Sequence, residues 1–234
     1  MFDKKKITIK IMTFLFVIVH TILYILLYGF GLFQSVENKI IYFMILNCLV
    51  FSFLLLIIEK KKSSLYLFVA FVFTSISDTF LVLYDTCYEL SVFSFIIVQI
   101  FYCIYIHETS YKEKKWLNQL IIRSITIIFA FMMMLLVDKD SRLLVFLTII
   151  YISNLLINII FAIHSKKKNY ILILGLFLFL LCDICVGCFH IGDVIHLSQN
   201  SIFEKIKYFP INLSWFFYYP SQILLAISNI KWKK

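Results

Sequence analysis

Charged residues are scarce in this chain of 234 residues: Asp, Glu, Lys and Arg make up 15% of it, against 62% hydrophobic residues. Glycine and proline are also few, with 5 and 2 copies. Soluble domains are roughly half apolar and about a quarter charged, so the composition excludes a soluble domain. The apolar runs are unbroken for about 20 residues, whereas the strands of a membrane barrel alternate apolar and polar residues. The composition therefore predicts an integral membrane protein made of helices.

Eight apolar runs predict eight transmembrane helices, each long enough to cross a hydrocarbon core of about 30 Å. The predicted spans cover about 11–33, 40–58, 64–84, 88–107, 118–137, 143–163, 170–189 and 209–230. The loops between them are short except for 190–208, so no soluble domain is expected. We therefore predict an all-α, polytopic membrane bundle in which residues 1–234 form a single domain.

The basic residues indicate how these helices are oriented. Of the 22 Lys and Arg residues, 17 lie on one side of the predicted membrane and 5 on the other. Loops rich in Lys and Arg remain in the cytoplasm, so both termini are predicted to be cytoplasmic. The net charge of +9 comes from these clusters and therefore does not indicate nucleic-acid binding.

The six cysteines lie within or at the edges of the predicted spans. We expect them to be small buried apolar residues rather than a disulfide framework. Three of them, Cys182, Cys185 and Cys188, have CxxC spacing. On a single helix, thiols with this spacing point in different directions, so they do not predict a metal site.

Two aspartates, Asp78 and Asp183, lie inside predicted spans. A carboxylate at mid-membrane costs about 2.5–3.5 kcal/mol on insertion scales, and neither span contains a Lys or Arg that would neutralise it. Both helices run from the cytoplasmic to the outer side, and the two Asp lie at a similar depth. We therefore expect the carboxyl groups to face each other across the bundle and to form the functional site. Hydrogen bonding between helices, for packing alone, is the alternative.

Each Asp-bearing helix is followed by a helix that returns with amide and phenol side chains on one face. These side chains are Gln99 and Tyr102 in the first half, and Tyr218, Tyr219 and Gln222 in the second half. The pattern indicates a parallel repeat of two four-helix halves, which is a known membrane arrangement. For these groups too, a packing role is the alternative.

Further polar or small residues share a face with each Asp. Ser75 lies on the face of Asp78, whereas Gly187 and His190 lie on the face of Asp183. Gly187 is expected to let a neighbouring helix or a ligand approach closely. His190, two turns from Asp183, is predicted to mark the outer mouth of a cavity together with the loop that follows it.

Two residues elsewhere in the spans carry separate expectations. Pro220 lies in the middle of the last span, where it should kink the helix and free the carbonyl of Phe216. Membranes tolerate such irregular backbone where it faces protein or a wet cavity. His20 has no evident partner within its own span and is expected to be a satisfied interior group.

Four short motifs lie at Ser75–Asp78, Gln99–Tyr102, Gly175–Asp183 and Tyr218–Gln222. In order, helix placement and spacing they resemble the motifs of the YhhN-like lysoplasmalogenase family, which consists of eight-span membrane hydrolases. The resemblance covers about residues 64–107 and 170–230. Three positions depart from the family motifs: Ser77 replaces Gly, Cys182 replaces Ser and Gln99 replaces His. The last change bears on catalysis because a glutamine cannot titrate.

The resemblance implies hydrolysis of the vinyl ether of lysoplasmalogens to a fatty aldehyde and a glycerophospho-alcohol. It implies catalytic roles for Asp78 and Asp183, since a neutral Asp can protonate carbon and an ionised one can stabilise the oxocarbenium ion and guide water. Paired carboxylates divide the work in this way in glycosidases. Substrate-binding or positioning roles are implied for Ser75, Gln99, Tyr102, Tyr218, Tyr219, Gln222 and His190. No metal or cofactor is required.

The expected partners are a lysophospholipid substrate and the lipid of a bacterial-type cell membrane, and the oligomeric state is left open. Two other functions remain compatible with the sequence. One is a lipid-binding relative without enzymatic activity, and the other is a proton-coupled transporter that uses Asp78 and Asp183 as carriers. A closed pocket with a slot toward lipid would favour the hydrolase, and a water path to both faces would favour the transporter.

Overall fold

The structure is a computed structural model that describes residues 2–110, 116–137, 139–190, 209 and 211–230. Within these ranges the chain is helical and contains no strand. The long helices are α1 Phe2–Tyr24, α2 Glu37–Glu59, α3 Lys62–Asp78, α4 Tyr88–Ser110, α5 Trp116–Leu135, α6 Arg142–Ile163, α7 Tyr170–His190 and α8 Leu213–Ile227. Two of them continue as π-helix: α1 through Ile25–Gly29 and α3 through Thr79–Tyr84. The predicted all-α class is confirmed.

Among the described residues, six helices are long and apolar enough to cross a membrane, namely α1 to α4, α6 and α7. The apolar part of α5, Asn118–Met134, is shorter, and α8 has 15 residues. At 1.5 Å per residue α8 measures about 22 Å, less than a hydrocarbon core of about 30 Å. The predicted span 209–230 is therefore too long for the helix. The helix begins after Asn212, whose side chain accepts hydrogen bonds from the backbone N–H groups of Ser214 and Trp215.

The same neighbour relations occur in the first four helices and in the last four. Helix α3 packs on α2 and α4, and α7 packs on α6 and α8. Across the halves, α2 packs on α8 and α4 packs on α6. Each of these two contacts joins the second helix of one half to the fourth helix of the other half, so the two contacts are equivalent. The side chains that face the middle of this arrangement include Phe71, Phe179 and Tyr102, which are almost fully buried.

The outer surface of the bundle is apolar, as contact with lipid requires. Phe14 on α1 is 65% exposed, and Ile128 on α5 is 64% exposed. Helices in lipid gain nothing from burying apolar surface against one another, so their contacts depend on close packing and on polar groups. One such close contact lies at Gly175, where an added Cβ would be 2.9 Å from Cγ of Leu225 on α8.

At Gly187 an added Cβ meets no heavy atom of the described residues within 4 Å, so no described helix approaches closely there, and the approach of a ligand at this position stays a prediction. The expectation for the cysteines is wrong at one of the six positions. All six are free and five are buried, but Cys87 is exposed. It lies between α3 and α4 with a backbone φ of 53°, outside either helix. Cys87 lies in the short gap between two predicted spans, and the sequence alone does not show whether a residue in such a gap is buried.

A buried polar cluster joins the ends of four helices, and the sequence did not indicate it. Oε2 of Glu59 accepts hydrogen bonds from Oγ of Ser64 at 2.9 Å and from Nδ2 of Asn229 at 2.7 Å. Nδ2 of Asn169 donates to the backbone carbonyl of Ser228 at 2.6 Å. These contacts tie the end of α2 to the start of α3 and α7 and to the chain after α8.

Candidate functional site

Asp78 lies at the point where α3 changes from α-helix to π-helix. It is the last α-helical residue, it is 2% exposed, and the π-helix Thr79–Tyr84 begins directly after it. Short π-helical segments are rare and occur frequently at functional sites. Asp183 lies within regular α-helix in α7 and is partly buried.

Each Asp accepts a hydrogen bond from a tyrosine of another helix. Oη of Tyr218 on α8 donates to Oδ2 of Asp78 at 2.6 Å, and Oη of Tyr151 on α6 donates to Oδ2 of Asp183 at 2.8 Å. Neither Asp forms an ion pair with a described residue. Two phenol hydroxyls, rather than cations, therefore hold the two carboxyl groups.

The two Asp–Tyr pairs adjoin one another in the middle of the bundle. The ring of Phe179 packs edge-on against Tyr218 at 5.6 Å and against Tyr151 at 6.4 Å between centroids. Phe179 lies on α7, four residues before Asp183. The two pairs are therefore joined through one aromatic ring, and four helices build them, namely α3, α6, α7 and α8.

Three of the predicted site residues have a buried polar atom without a hydrogen-bond partner among the described residues: Nε2 of Gln99, Oη of Tyr102 and Oε1 of Gln222. All three side chains are fully buried. Nδ2 of Asn158 donates to Oε1 of Gln99 at 2.9 Å, which fixes the direction of its amide. Unpartnered buried groups are rare in folded proteins and call for an explanation. A donor, a hydroxyl and an acceptor of this kind suit a polar ligand or water.

Ser75 differs from these groups although it lies on the predicted face. Its hydroxyl donates to the backbone carbonyl of Phe71, 2.8 Å away on the same helix. This local bond uses its only proton, so Ser75 has no donor left for a substrate. The side chain of His190 and the loop 190–208, which were predicted to line the mouth of the cavity, lie outside the described residues.

Pro220 lies inside α8, as predicted, and the carbonyl that it frees has a partner. Oη of Tyr24 on α1 donates to the carbonyl of Phe216 at 3.2 Å. His20, one turn earlier on α1, also contacts α8: its Nδ1 lies 2.9 Å from Oη of Tyr219. The partner of His20 thus comes from another helix, which explains why its own span offered no candidate.

Two contributors to the site had only weak signals in the sequence. Asn158 had the signal of ordinary helix-packing polar residues, and only its contact with Gln99 distinguishes it. Tyr151 is similar to a tyrosine of the YhhN-like family, but it is a single phenol in an apolar helix, and nothing local links it to Asp183. Within the described ranges, no group of three or more His, Cys, Asp or Glu side chains is placed to hold a metal ion.

Comparison with known proteins gives one match. The model of the YhhN family matches residues 38–229, which include both Asp residues and both of their tyrosine partners. Helix α1 precedes the matched residues. No curated protein and no solved structure matches the chain.

Proposed function

The chain belongs to the YhhN family, and we propose that it is a membrane hydrolase that cleaves the vinyl ether of lysoplasmalogens. The products are a fatty aldehyde and a glycerophospho-alcohol. The observation that carries the proposal is a pair of carboxyl groups, one buried and one partly buried, each hydrogen-bonded to a tyrosine of another helix and neither paired with a cation of the described residues. Carboxyl groups free of cations are able to hold and release protons, which this reaction requires.

The proposed membrane arrangement is a single domain with eight spans, both termini in the cytoplasm and a parallel repeat of four helices. The distribution of Lys and Arg supports the orientation. The shared neighbour relations of the two halves support the repeat. Helix α8, although short, bears Tyr218 and crosses the level of Asp78, so we place it within the membrane.

The reaction begins when a neutral Asp transfers its proton to the vinyl ether, at the carbon of the double bond that is not bonded to oxygen. This step leaves an oxocarbenium ion, which the other, ionised Asp stabilises. Water then adds to the cation and gives its proton to that second Asp. The hemiacetal collapses when its hydroxyl proton returns to the first Asp and the glycerol oxygen takes the proton from the second. Both carboxyl groups thereby regain their initial states.

The surrounding groups position the substrate and the water. Gln99, Tyr102 and Gln222 supply the unpartnered buried atoms, and we place the reacting water or the ether oxygen among them. Asn158 holds the amide of Gln99 in one orientation. Tyr102 is the unpartnered phenol that is available to donate a hydrogen bond to the departing oxygen. Tyr219 is able to donate there when Nδ1 of His20 carries the proton of their shared hydrogen bond. Ser75 contributes packing beside Asp78, since its proton is already used.

A second candidate, lipid binding without turnover, follows from one residue. Gln99 stands where the family motif has a histidine, and its amide cannot exchange a proton. A protein that lost its chemistry at this position would retain the polar site and the affinity for a single-chain ether lipid. Thermal stabilisation by such a lipid, without any product, is the result that this candidate requires.

The deciding experiment uses the purified full-length protein in lipid nanodiscs. Lysoplasmalogen is added and the released aldehyde is measured over time. The matched control substrate is the 1-alkyl lysophospholipid of the same chain length and head group, which has no vinyl bond to protonate. Aldehyde from the first lipid alone supports the proposal. Stabilisation by both lipids without aldehyde favours the lipid-binding protein. An outcome with no product and no stabilisation would refute both candidate functions.

A further inference from the structure

We propose that α1 supplies a positioning residue to this site: His20, hydrogen-bonded to Tyr219, fixes the phenol that serves the reacting ether. The proposal rests on the proposed function and adds a residue to it. Helix α1 lies before the matched residues 38–229, so the family match says nothing about His20.

The contact between His20 and Tyr219 is fully enclosed. His20 is 1% exposed and Tyr219 is 0% exposed, and Nδ1 of His20 lies 2.9 Å from Oη of Tyr219. The ring of Phe16 packs edge-on against His20 with centroids 4.6 Å apart. An imidazole buried inside a membrane protein is expensive unless it is hydrogen-bonded, so this contact determines the orientation of both side chains.

A second contact holds α1 against the same part of α8. Tyr24, one turn after His20, donates to the carbonyl of Phe216, which Pro220 leaves without its usual partner. The ring of Tyr24 also lies 5.6 Å from the ring of Tyr219 between centroids. Helix α1 thus forms two hydrogen-bonded contacts with the irregular turn of α8 that carries Tyr219. A helix that only anchors the protein in lipid would need neither contact.

Tyr219 lies on α8 among residues of the candidate site. Its chain neighbour Tyr218 donates to Asp78. Gln222, whose Oε1 has no hydrogen-bond partner among the described residues, follows three residues later and so shares a face of α8 with Tyr219. His20 therefore holds the hydroxyl of Tyr219 on the face of α8 that also carries Gln222.

A phenol hydroxyl has one proton as well as acceptor positions on its oxygen, and its proton points to either of two sides in the ring plane when nothing holds it. With either tautomer of His20, the contact uses one of these positions and fixes the direction of the rest. The remaining proton or lone pair then points at a constant place in the site. A fixed hydrogen-bonding group lowers the barrier more than a rotating one, because no reorganisation is needed during the reaction.

The test compares two substitutions at His20. In His20→Leu the contact is lost, and kcat for aldehyde release should fall about tenfold while KM stays within about twofold of wild type. In His20→Asn the amide oxygen lies near the place of Nδ1, so kcat should recover to within about threefold of wild type. The matched controls are His164→Leu and His164→Asn at the exposed end of α6, which should leave kcat unchanged.

A double-mutant cycle separates positioning from a general effect on folding. With Tyr219→Phe already present, His20→Leu should lower kcat by less than about twofold more, because the hydroxyl that it positions is gone. Equal losses in His20→Leu and His20→Asn would overturn the proposal. Independent, multiplying losses in the double variant would do the same.

A spectroscopic measurement distinguishes failure of this proposal from failure of the proposed function. In protein labelled with ¹⁵N-histidine, Tyr219→Phe should shift the ring-nitrogen signal that disappears in His20→Asn. Absence of that shift in an enzyme that releases aldehyde overturns the role of His20 alone. If Tyr219→Phe causes the shift but the wild-type protein releases no aldehyde from any vinyl-ether lysolipid, the hydrolase is refuted, and the kinetic role of His20 with it.

Discussion

The hydroxyl of Tyr218 donates a hydrogen bond of 2.6 Å to Asp78, although the two residues are 140 positions apart in the chain. Tyr151 makes the corresponding contact with Asp183 at 2.8 Å. In both cases the phenol comes from a different helix than the carboxyl group. The site therefore exists only when the helices are packed, and no described Lys or Arg pairs with either carboxyl group to keep it permanently ionised.

Replacing either carboxyl group by an amide should stop the reaction. Asp78→Asn and Asp183→Asn keep the shape and the hydrogen bond to the phenol but cannot cycle a proton, so kcat should fall about 10²–10⁴-fold. The thermal unfolding midpoint should stay close to that of the wild type. Aldehyde release and unfolding are measured on the same preparations.

The matched control for these two variants is Asp85→Asn. Asp85 is exposed beyond the end of α3, where it accepts a hydrogen bond from Tyr88, and its backbone φ of 51° is one that Asn adopts readily. Its kcat should equal that of the wild type. Turnover that survives Asp78→Asn combined with Asp183→Asn would end the mechanism with two carboxyl groups.

Removing the phenol hydroxyls should weaken both catalysis and stability. Tyr218→Phe and Tyr151→Phe each leave a buried carboxyl oxygen without its donor, which should destabilise the fold by about 1–3 kcal/mol. The catalytic rate should fall about tenfold or more, since the carboxyl group loses its fixed orientation. Chemical unfolding and aldehyde release give the two values.

The control for the phenol variants is Tyr105→Phe. Tyr105 is also almost fully buried, but it lies in the polar cluster with Ser228 and Asn169 rather than beside an Asp. Its loss should lower stability and leave kcat unchanged. A tyrosine variant of the site with full kcat would show that the Asp residues need no phenol.

The two glutamines should matter less than the aspartates. Gln99→Leu and Gln222→Leu each remove a buried amide that can bind water or substrate but cannot transfer a proton, so kcat should fall about tenfold. Gln119→Leu is the control, because Gln119 is buried on α5 and bonds to Cys103 instead of the site. A loss at Gln99 as large as that in Asp78→Asn would contradict a positioning role.

A methyl group on α7 should be tolerated at one glycine and not at the other. In Gly175→Ala the new Cβ would lie 2.9 Å from Leu225, so α7 and α8 must separate, and stability should fall by about 1–3 kcal/mol. In Gly187→Ala the Cβ meets no atom of the described residues, so stability should be unchanged or rise by up to about 1 kcal/mol from helix propensity. Unfolding in detergent measures both, and equal effects would disprove the close contact.

The exposed cysteine offers a test of the orientation. Cys87 is the exposed thiol among the six cysteines, and we expect it on the outer side of the membrane. A membrane-impermeant maleimide added to intact cells should label the wild type and fail to label Cys87→Ser. As a control, Lys61→Cys in the Cys87→Ser background should react only after the cells are made permeable. Labelling of Lys61→Cys in intact cells would reverse the orientation.

The helices and the candidate carboxyl groups followed from the sequence because both are local properties. An apolar run predicts a helix in the membrane wherever it occurs, and Asp78 and Asp183 are conspicuous in such runs without any knowledge of their neighbours. Pro220 is similar, since a proline inside a helix frees a carbonyl regardless of the fold. The first residue of α8 was less predictable, because the helix begins after the capping residue Asn212 and not where the apolar run begins.

Only the tertiary structure decided which side chains meet. Tyr151 reaches Asp183, His20 reaches Tyr219, and Gly175 rather than Gly187 is the point of close packing. The physical reason is the rotation of each helix about its own axis. In a soluble helix the apolar stripe fixes this rotation, but helices in lipid are apolar on nearly every face. Their rotation is therefore set by packing against the other helices, and this information is absent from any single segment of the sequence.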